Sequence, residues 1–423
     1  MAQLLLSDVT ATLKEVLLPY VRDNFPKETI LLDQMKRNAR VTPMNDEFIA
    51  PVYTTRHGGV ANLANDGSNV ISSGGRDTSR ATVPVEIVTG ALNISKLTID
   101  ASKSNALAVQ NNLQAQTETL TSDFARQVNR QLYNDGVGVV SMVRETGGSV
   151  GTGTIAVEAI NASIDDARTV DWYGTINGDI SPVKYFAIDQ IIGVGTAGAA
   201  DGTITALTGT SIVSGAPSAI VTAANDSIYI QDGSGAGAGT SELLGIRAAL
   251  SSTTGTNTYA GLARNVTGWT PQFGSVSESL SIRSMQNTYT AAREYAGKRD
   301  LIIILVNKTL YNKYGDLLTA MRRTVNESDL LAGWTGLEFA AGAGRVGVFL
   351  DYDVPDGEVI FLNLDTWTIA QVSDIDWMEN PGGEGGGLLR LQNTIQYQAV
   401  MHWFVNTLCY NPAGNGKQTR KTQ

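Results

Sequence analysis

At 423 residues, with 42% hydrophobic and 17% charged side chains, the chain is long enough for two or three compact units and too apolar to stay disordered. A net charge of −10 excludes a tight nucleic-acid wrapper, which needs a cationic surface. A single cysteine, Cys409, excludes an intrachain disulfide and suits a reducing compartment, and no apolar run nears the ~20 residues that cross a membrane.

Residues 1–47 read as an arm. Leu4, Leu5, Leu6, Leu13, Val16 and Leu17 mark one short amphipathic helix ending near Pro19, and a second helical stretch runs near residues 27–37. The segment is too short and broken to bury a core of its own, so it must lie on another surface. Its early acidic residues and proline are unlike a secretory signal, so synthesis is expected in the cytoplasm.

Residues 48–54 and 82–99 alternate apolar and polar side chains, a strand signal, around a middle rich in Gly, Asn, Asp and Ser. This predicts a long hairpin with a flexible tip. Limbs of roughly 15 residues would reach up to ~50 Å and project beyond the body. Residues 102–134 hold the strongest helix, with Leu113, Leu120, Phe124, Val128 and Leu132 on one face and Gly136 and Gly138 as its stop. A further short helix is expected around residues 155–168.

From residue 169 to 239 short apolar runs alternate with Gly, Asp and Asn turns, predicting a small β-barrel or sandwich. It carries one lysine, Lys184, and six aspartates, half of the net charge of the chain. The Gly-rich run at 233–239 reads as its exit linker. A helix over about 277–296, the apolar strand LIIILVN, a helix from 309 to about 323 and strands near 345–351 and 358–372 predict an α/β layer. A strongly alternating strand closes the fold at 388–408, and a polar, basic tail, residues 411–423, is expected to be flexible.

The motifs that could carry chemistry fail on context. GVGTAG at 193–198 matches GxGxxG, but a β-like run follows it where a nucleotide site needs a helix. GNGKQT at 414–419 lacks the leading glycine and the hydroxyl residue after Lys417. Asp351, Asp353 and Asp356 are misspaced for a calcium loop, and a Pro-Asp-Gly turn explains them. His57 and His402 are the only histidines, and Cys409 reads as a buried, inert thiol. No catalytic, cofactor or metal site emerges, and the expectation is a protein that is not an enzyme.

The order of parts is what carries information. FIAPVYTT through TVPVEIVTGALNISKLTID runs into the helix ending FARQVNRQLYNDG; ELLGIRAALSSTTGTNTYAGLARNVTGWTP precedes a helix; DVPDGEVIFLNLDTWTI joins two strands. This ordered set resembles the tailed-bacteriophage major capsid proteins of the Hong Kong 97 type. The resemblance implies an α+β fold with an N-terminal arm (1–47), an extended loop (48–99), a peripheral domain with a spine helix (100–168), an inserted β domain (169–239), a return to the peripheral domain (240–273), an axial domain (274–380), a closing strand (381–410) and the tail. It implies a shell subunit forming hexamers and pentamers around double-stranded DNA, without a cofactor, a membrane or sequence-specific DNA binding. Portal, separate scaffolding and decoration proteins are the implied partners, and the virion capsid the implied location. Arg56, His57, Asp66, Arg76 and Arg80 in the hairpin, with Leu5, Leu13 and Leu17 in the arm, become the candidate contacts between subunits. Some relatives crosslink through a lysine near the hairpin tip; here no lysine lies between Val41 and Ser95, so a non-covalent shell is expected. The alternative within the same fold is the shell of an encapsulin-type bacterial compartment.

Overall fold

The computed structural model describes residues 19, 21–22, 29–35, 42–44, 46–53, 60, 62, 75, 77–96, 106–136, 138–143, 148–150, 154–159, 183–194, 201–209, 211–214, 220–222, 227–230, 242–251, 258–264, 268–274, 278–296, 302–320, 327–329, 335–341, 344–378, 389–390 and 395–422. Two sheets and a barrel organise the fold.

The first sheet has seven strands in the order Gln272–Phe273, Gly416–Gln418, Val359–Asn363, Ile302–Val306, Gly344–Leu350, Thr335–Ala341, Glu327–Asp329. Strand Ile302–Val306 runs parallel to Gly344–Leu350, with helix Lys308–Ala320 in the connection between them. All five residues of Ile302–Val306 are buried, which explains the unbroken apolar run LIIILV. Ile302, Ile304 and Val306 pack with Met285, Tyr289, Leu310 and Tyr314 of the two flanking helices. Ile303 and Leu305 face the opposite way, into the core shared with the second sheet.

The second sheet is organised by one long strand, Gln396–Cys409, which pairs with Trp367–Gln371, Asp376–Trp377 and Leu389–Arg390. Along its first ten residues it also pairs with Glu86–Ser95. Helix Ala106–Tyr133 lies against the inner face of that pair; a side-chain carbon at Gly90 would stand 3.2 Å from Leu120 and 3.4 Å from Phe124. Phe124, Ala125, Val128 and Leu132 are buried there, as the spacing predicts, and Leu120 is partly buried. Thr117, Thr121 and Asn129 share the buried side, which hydropathy alone does not mark.

Several boundaries differ from expectation. The helix expected at 155–168 is, where described, the strand Thr154–Ala159, part of a closed barrel. Its Ile155 enters the barrel core, so an alternating β pattern prevails over the short helical one. The barrel therefore begins at Val139, not at 169; its strands are Val139–Val143, Thr154–Ala159, Ile191–Val194, Asp201–Thr208, Ser211–Ser214 and Ser227–Ile230. Among the described residues the hairpin limbs pair over seven positions, Glu47–Tyr53 against Thr78–Pro84. After Pro84 the chain leaves the hairpin and becomes the Glu86–Ser95 strand of the second sheet. The strands at 367–377 belong to that sheet too, so the seven-stranded sheet does not extend to 380.

The largest correction concerns the C-terminus. Residues 411–422 are not a flexible tail. Gly416–Gln418 is an interior strand of the seven-stranded sheet, antiparallel to Val359–Asn363 and parallel to Gln272–Phe273. Asn415, Lys417, Gln418 and Lys421 are buried. A polar tail becomes a strand because its polar groups have partners waiting: Asn415 Oδ1 accepts from Trp367 Nε1 and Asn363 N, and Gln418 Nε2 donates to Ser284 O and Thr288 Oγ1.

Candidate assembly surfaces and the polar clusters behind them

The hairpin base is not free. Phe48, Ala50, Val52, Ala81 and Val83 are buried in the main core, and Thr82 N donates to Ala260 O. Ala260 and Gly261 both adopt positive φ (50° and 75°), a tight turn between Thr258–Tyr259 and Leu262–Ala263 that holds the hairpin against the body. Behind that turn, the Arg264 guanidinium donates to the carbonyls of Ala248, Ala249 and Trp269, and Trp269 Nε1 donates to Tyr259 O. Burial pulls the Arg264 pKa down to about 10. The motif at 243–269 thus fastens the hairpin base to the closing strand, where Cys409 N donates to Tyr259 Oη. Gly245 is required by close approach: a side-chain carbon there would fall 2.4 Å from the carbonyls of Gln131 and Leu132.

Of the candidate contacts, Arg80 is exposed on the outer limb of the hairpin, opposite Pro51. Arg56, His57, Asp66, Arg76, Leu5, Leu13 and Leu17 lie outside the described residues. Of the GVGTAG motif, Gly193 is seen within the barrel strand Ile191–Val194, tight against the Tyr229 ring, and the remainder falls largely outside the described residues. The Pro-Asp-Gly segment is a turn, with Gly357 at φ 75°.

That turn nevertheless does something its spacing did not predict. Asp351 is buried, and its carboxylate accepts from Tyr133 Oη at 2.8 Å and from Asp353 N at 2.9 Å. Burial pushes its pKa up to about 6, with the neighbouring Asp353 adding to the shift. Asp353 accepts from Lys184 Nζ (2.5 Å) and Tyr185 Oη (2.6 Å) on the barrel and from Asn129 Nδ2 (2.6 Å) on the helix. Asp353 is where barrel, helix and turn meet. Nearby, Arg130 pairs with Glu242, whose second oxygen accepts from Asn134. Glu86, half-buried, has its pKa raised to about 7 by burial and then by Glu242. A second buried cluster joins Arg247, Glu358 and Lys417, with Glu358 Oε1 3.6 Å from Arg247 and 3.7 Å from Lys417. Burial pushes the Lys417 pKa down to about 7. Cys409 is buried, and burial pushes its thiol up to about 12, consistent with an inert packing role. Among the described residues no group of three or more His, Cys, Asp or Glu side chains could hold a metal ion.

The second sheet offers an outer face that sequence reading missed. By register, Ile87, Phe404 and Val372 stand side by side; Thr89, His402 and Asp376 form the next row; Ala91, Val400 and Met378 the third. Ile87, Val372 and Met378 are 57%, 52% and 47% exposed. The signal was present in QYQAVMHWFVNTL, where apolar residues occupy both parities, so both faces of the strand are apolar in part.

No family model matches the sequence, and no curated protein matches it. Solved structures do. The chain is similar to a subunit in the cyanophage A-1(L) capsid asymmetric unit, with a TM-score of 0.52 at 11% identity over 94% of this chain and 93% of that one. It is also similar to a subunit of the native GTA particle capsid (TM-score 0.43, 11% identity, 92% and 90% covered) and to the holo-SrpI encapsulin complex from Synechococcus elongatus PCC 7942 (0.40, 9%, 93% and 88%). The class this defines is a fold: the chain has the mixed α/β fold of the cyanophage capsid subunit, end to end.

Proposed function

We propose that the chain is the major capsid protein of a tailed bacteriophage, self-assembling as hexamers and pentamers into a closed shell around double-stranded DNA. The observation that carries this reading is the end-to-end fold likeness to a cyanophage capsid subunit, with neither chain leaving a large part unmatched. The order of hairpin, spine helix, α/β sheet and closing strand supports the Hong Kong 97 type within that likeness. In this reading the hairpin between residues 48 and 84 extends from its buried base over a neighbouring subunit, Arg80 and the candidate tip residues make contacts there, and the seven-stranded sheet meets its copies around the capsomer axes. The barrel decorates the shell surface and faces outward. Many modest contacts, multiplied by closed symmetry, resist the pressure of the genome. A separate scaffolding protein and a portal complete the assembly pathway. The polar clusters fit a structural role, since their groups bond to one another within the chain.

The test is assembly itself. Purified protein, alone or with its scaffolding partner, is expected to give megadalton particles whose cryo-EM map shows this fold repeated on an icosahedral or prolate lattice. A species that stays at 44.9 kDa under all assembly conditions would overturn the reading. Particles that hold a cargo enzyme and no DNA in the native source would shift it to an encapsulin-type compartment. The absence of lysine between Val41 and Ser95 adds a second readout: boiled, denatured particles are expected to run as one band at 44.9 kDa, and a ladder of multimers would disprove a non-covalent shell.

A further inference from the structure

Among the described residues the apolar cores of barrel and body are separate, and the two units meet through polar groups. Lys184 Nζ and Tyr185 Oη of the barrel donate to Asp353 of the 351–356 turn, and Lys184 Nζ also donates to Tyr352 O. Arg130 of the spine helix lies over the Tyr185 ring, 5.9 Å from its centre. Asn134 Nδ2 donates to Val139 O, where the chain enters the barrel. That entry passes through Gly136 and Gly138, at φ 86° and 78°, a region that glycine adopts without strain. Hydrogen bonds across such a junction can be exchanged for bonds to water at small net cost, whereas a shared apolar core cannot be opened so cheaply. The barrel is thus a unit on a glycine connection, latched at Asp353.

The latch carries an unbalanced acid. Arg130 and Lys184 each face one carboxylate, Glu242 and Asp353. Asp351 is a third, and among the described residues no cation bonds to it. Its carboxylate accepts from Tyr133 Oη and Asp353 N, and its Oδ1 lies 3.5 Å from Asn129 Nδ2. The same amide nitrogen is 2.6 Å from Asp353 Oδ2, so one donor stands between the two acids. With Asp351 protonated the charges balance. Once it ionises, a buried negative charge without a cation lies beside another, and both burial and Asp353 oppose it. The phenols of Tyr133 and Tyr185 remain donors, because burial raises both well above their ordinary range. Glu86, beside Glu242, also titrates near neutrality, at about 7.

We propose that this junction is a pH-responsive hinge: the barrel is latched to the body while Asp351 is protonated, and swings away, letting water reach the 351–356 turn, when Asp351 ionises. The direction follows from which state holds the proton more tightly. The latched carboxyl has a pKa near 6, and one reached by water returns towards 3.8. Acid therefore favours the latched state, and the ratio of open to latched molecules grows about tenfold between pH 5 and pH 8. The hinge rests on the junction alone; it and the shell reading can fail separately.

Pulsed electron paramagnetic resonance on the full-length, unassembled subunit measures the swing. Nitroxide labels go on Ala206→Cys in the barrel and Asn312→Cys on the helix Lys308–Ala320, both exposed, while Cys409 is buried and stays unlabelled. The labelled chain is expected to give one narrow distance at pH 5 and to gain a second, broader population at pH 8. Adding Asp351→Asn should keep the narrow distance at both pH values. Adding Lys184→Met with Tyr185→Phe removes both barrel donors to Asp353 and should give the broad population at both, which defines the open state. A distribution that does not change between pH 5 and pH 8 would overturn the proposal. So would a latch-free variant as narrow as its parent, or a pH change that persists in Asp351→Asn, which assigns the titration to Glu86. Thermal melts establish that each variant is folded. Should Asp351→Asn fail to fold, Glu86→Gln makes the same separation: the pH change is expected to survive it, and its loss would overturn the role of Asp351.

Discussion

The barrel and the body that carries it are closed in opposite ways. Every barrel strand comes from residues 139–230, and its core of Val140, Val143, Ile155, Ile192, Val194, Ile204, Ile212 and Ile228 is separate from the others. The body is knitted from the ends of the chain: residues 86–95 pair with 396–405, and residues 272–273 with 416–417. The barrel also enters and leaves at one place, since Val139 stands opposite Tyr229 in the register. An element with a local core and adjacent ends can be added to a fold at small cost, whereas one built from distant segments forms all together or not at all. If this contrast is right, changes to the body should be severe and changes to the barrel should stay within it.

The severest expected effect comes from deleting residues 411–423. The deletion removes an interior strand, the Lys417 contact with Glu358, and the Asn415 side chain that satisfies Trp367 and Asn363. Buried Glu358 and Trp367 lose partners that water cannot replace. The truncated chain is expected to be insoluble or to lose its cooperative melt. A soluble chain melting within a few degrees of the full-length protein would break the contrast.

This segment also marks the limit of what the sequence reveals. The spine helix, the buried strand LIIILV and the hairpin base are legible because each announces its own environment by period or by an unbroken apolar run. GNGKQTRKT announces nothing, because its strand is specified by Asn, Gln and Lys finding partners far along the chain. The same holds for the 351–356 turn: its Asp spacing argues correctly for a turn, yet the role of Asp353 depends on Asn129, Lys184 and Tyr185, placed by elements more than 160 residues away. The start of the barrel was misread because 155–168 also fits a short helix, and only pairing with 139–143 and 211–214 decides for a strand.

Next in size is a pH effect at the junction. Asp351 has a folded-state pKa near 6 against an ordinary value of 3.8. The raised value means that the native state holds the proton more tightly. Stability from this group is present below about pH 4 and is lost as pH rises through 6. The variant Asp351→Asn cannot ionise, so its stability relative to wild type should rise between pH 4 and pH 7 by up to about 3 kcal/mol. Denaturant melts of both proteins at the two pH values measure this, and a flat difference would show that Asp351 is ionised at no cost in the folded protein.

Excising the barrel tests the contrast from the other side. Replacing residues 139–230 by a short Gly-Ser linker removes the Lys184 and Tyr185 bonds to Asp353 and lets water reach that carboxylate. The body is expected to keep a cooperative melt, destabilised by about 1–3 kcal/mol, the usual range for losing charge-assisted hydrogen bonds. Loss of all folded structure would mean that the barrel is part of the body's cooperative unit.

The smallest effect sharpens the boundary between the two. Lys184→Met removes the ion pair with Asp353 and the bond to Tyr352 O but keeps the apolar stem of the side chain. A third of the lysine side chain is exposed, so solvent screens the pair, and the cost should stay below ~1 kcal/mol. Tyr185 and Asn129 continue to donate to Asp353, so the carboxylate is not abandoned. What should change is local motion. Hydrogen exchange at residues 183–190, the segment that carries the junction, is expected to speed up severalfold, while exchange along 302–306 and 396–409 stays as in wild type. Acceleration spread equally over the body strands would mean that barrel and body open as one unit, and that the separate cores of the two do not translate into separate stabilities.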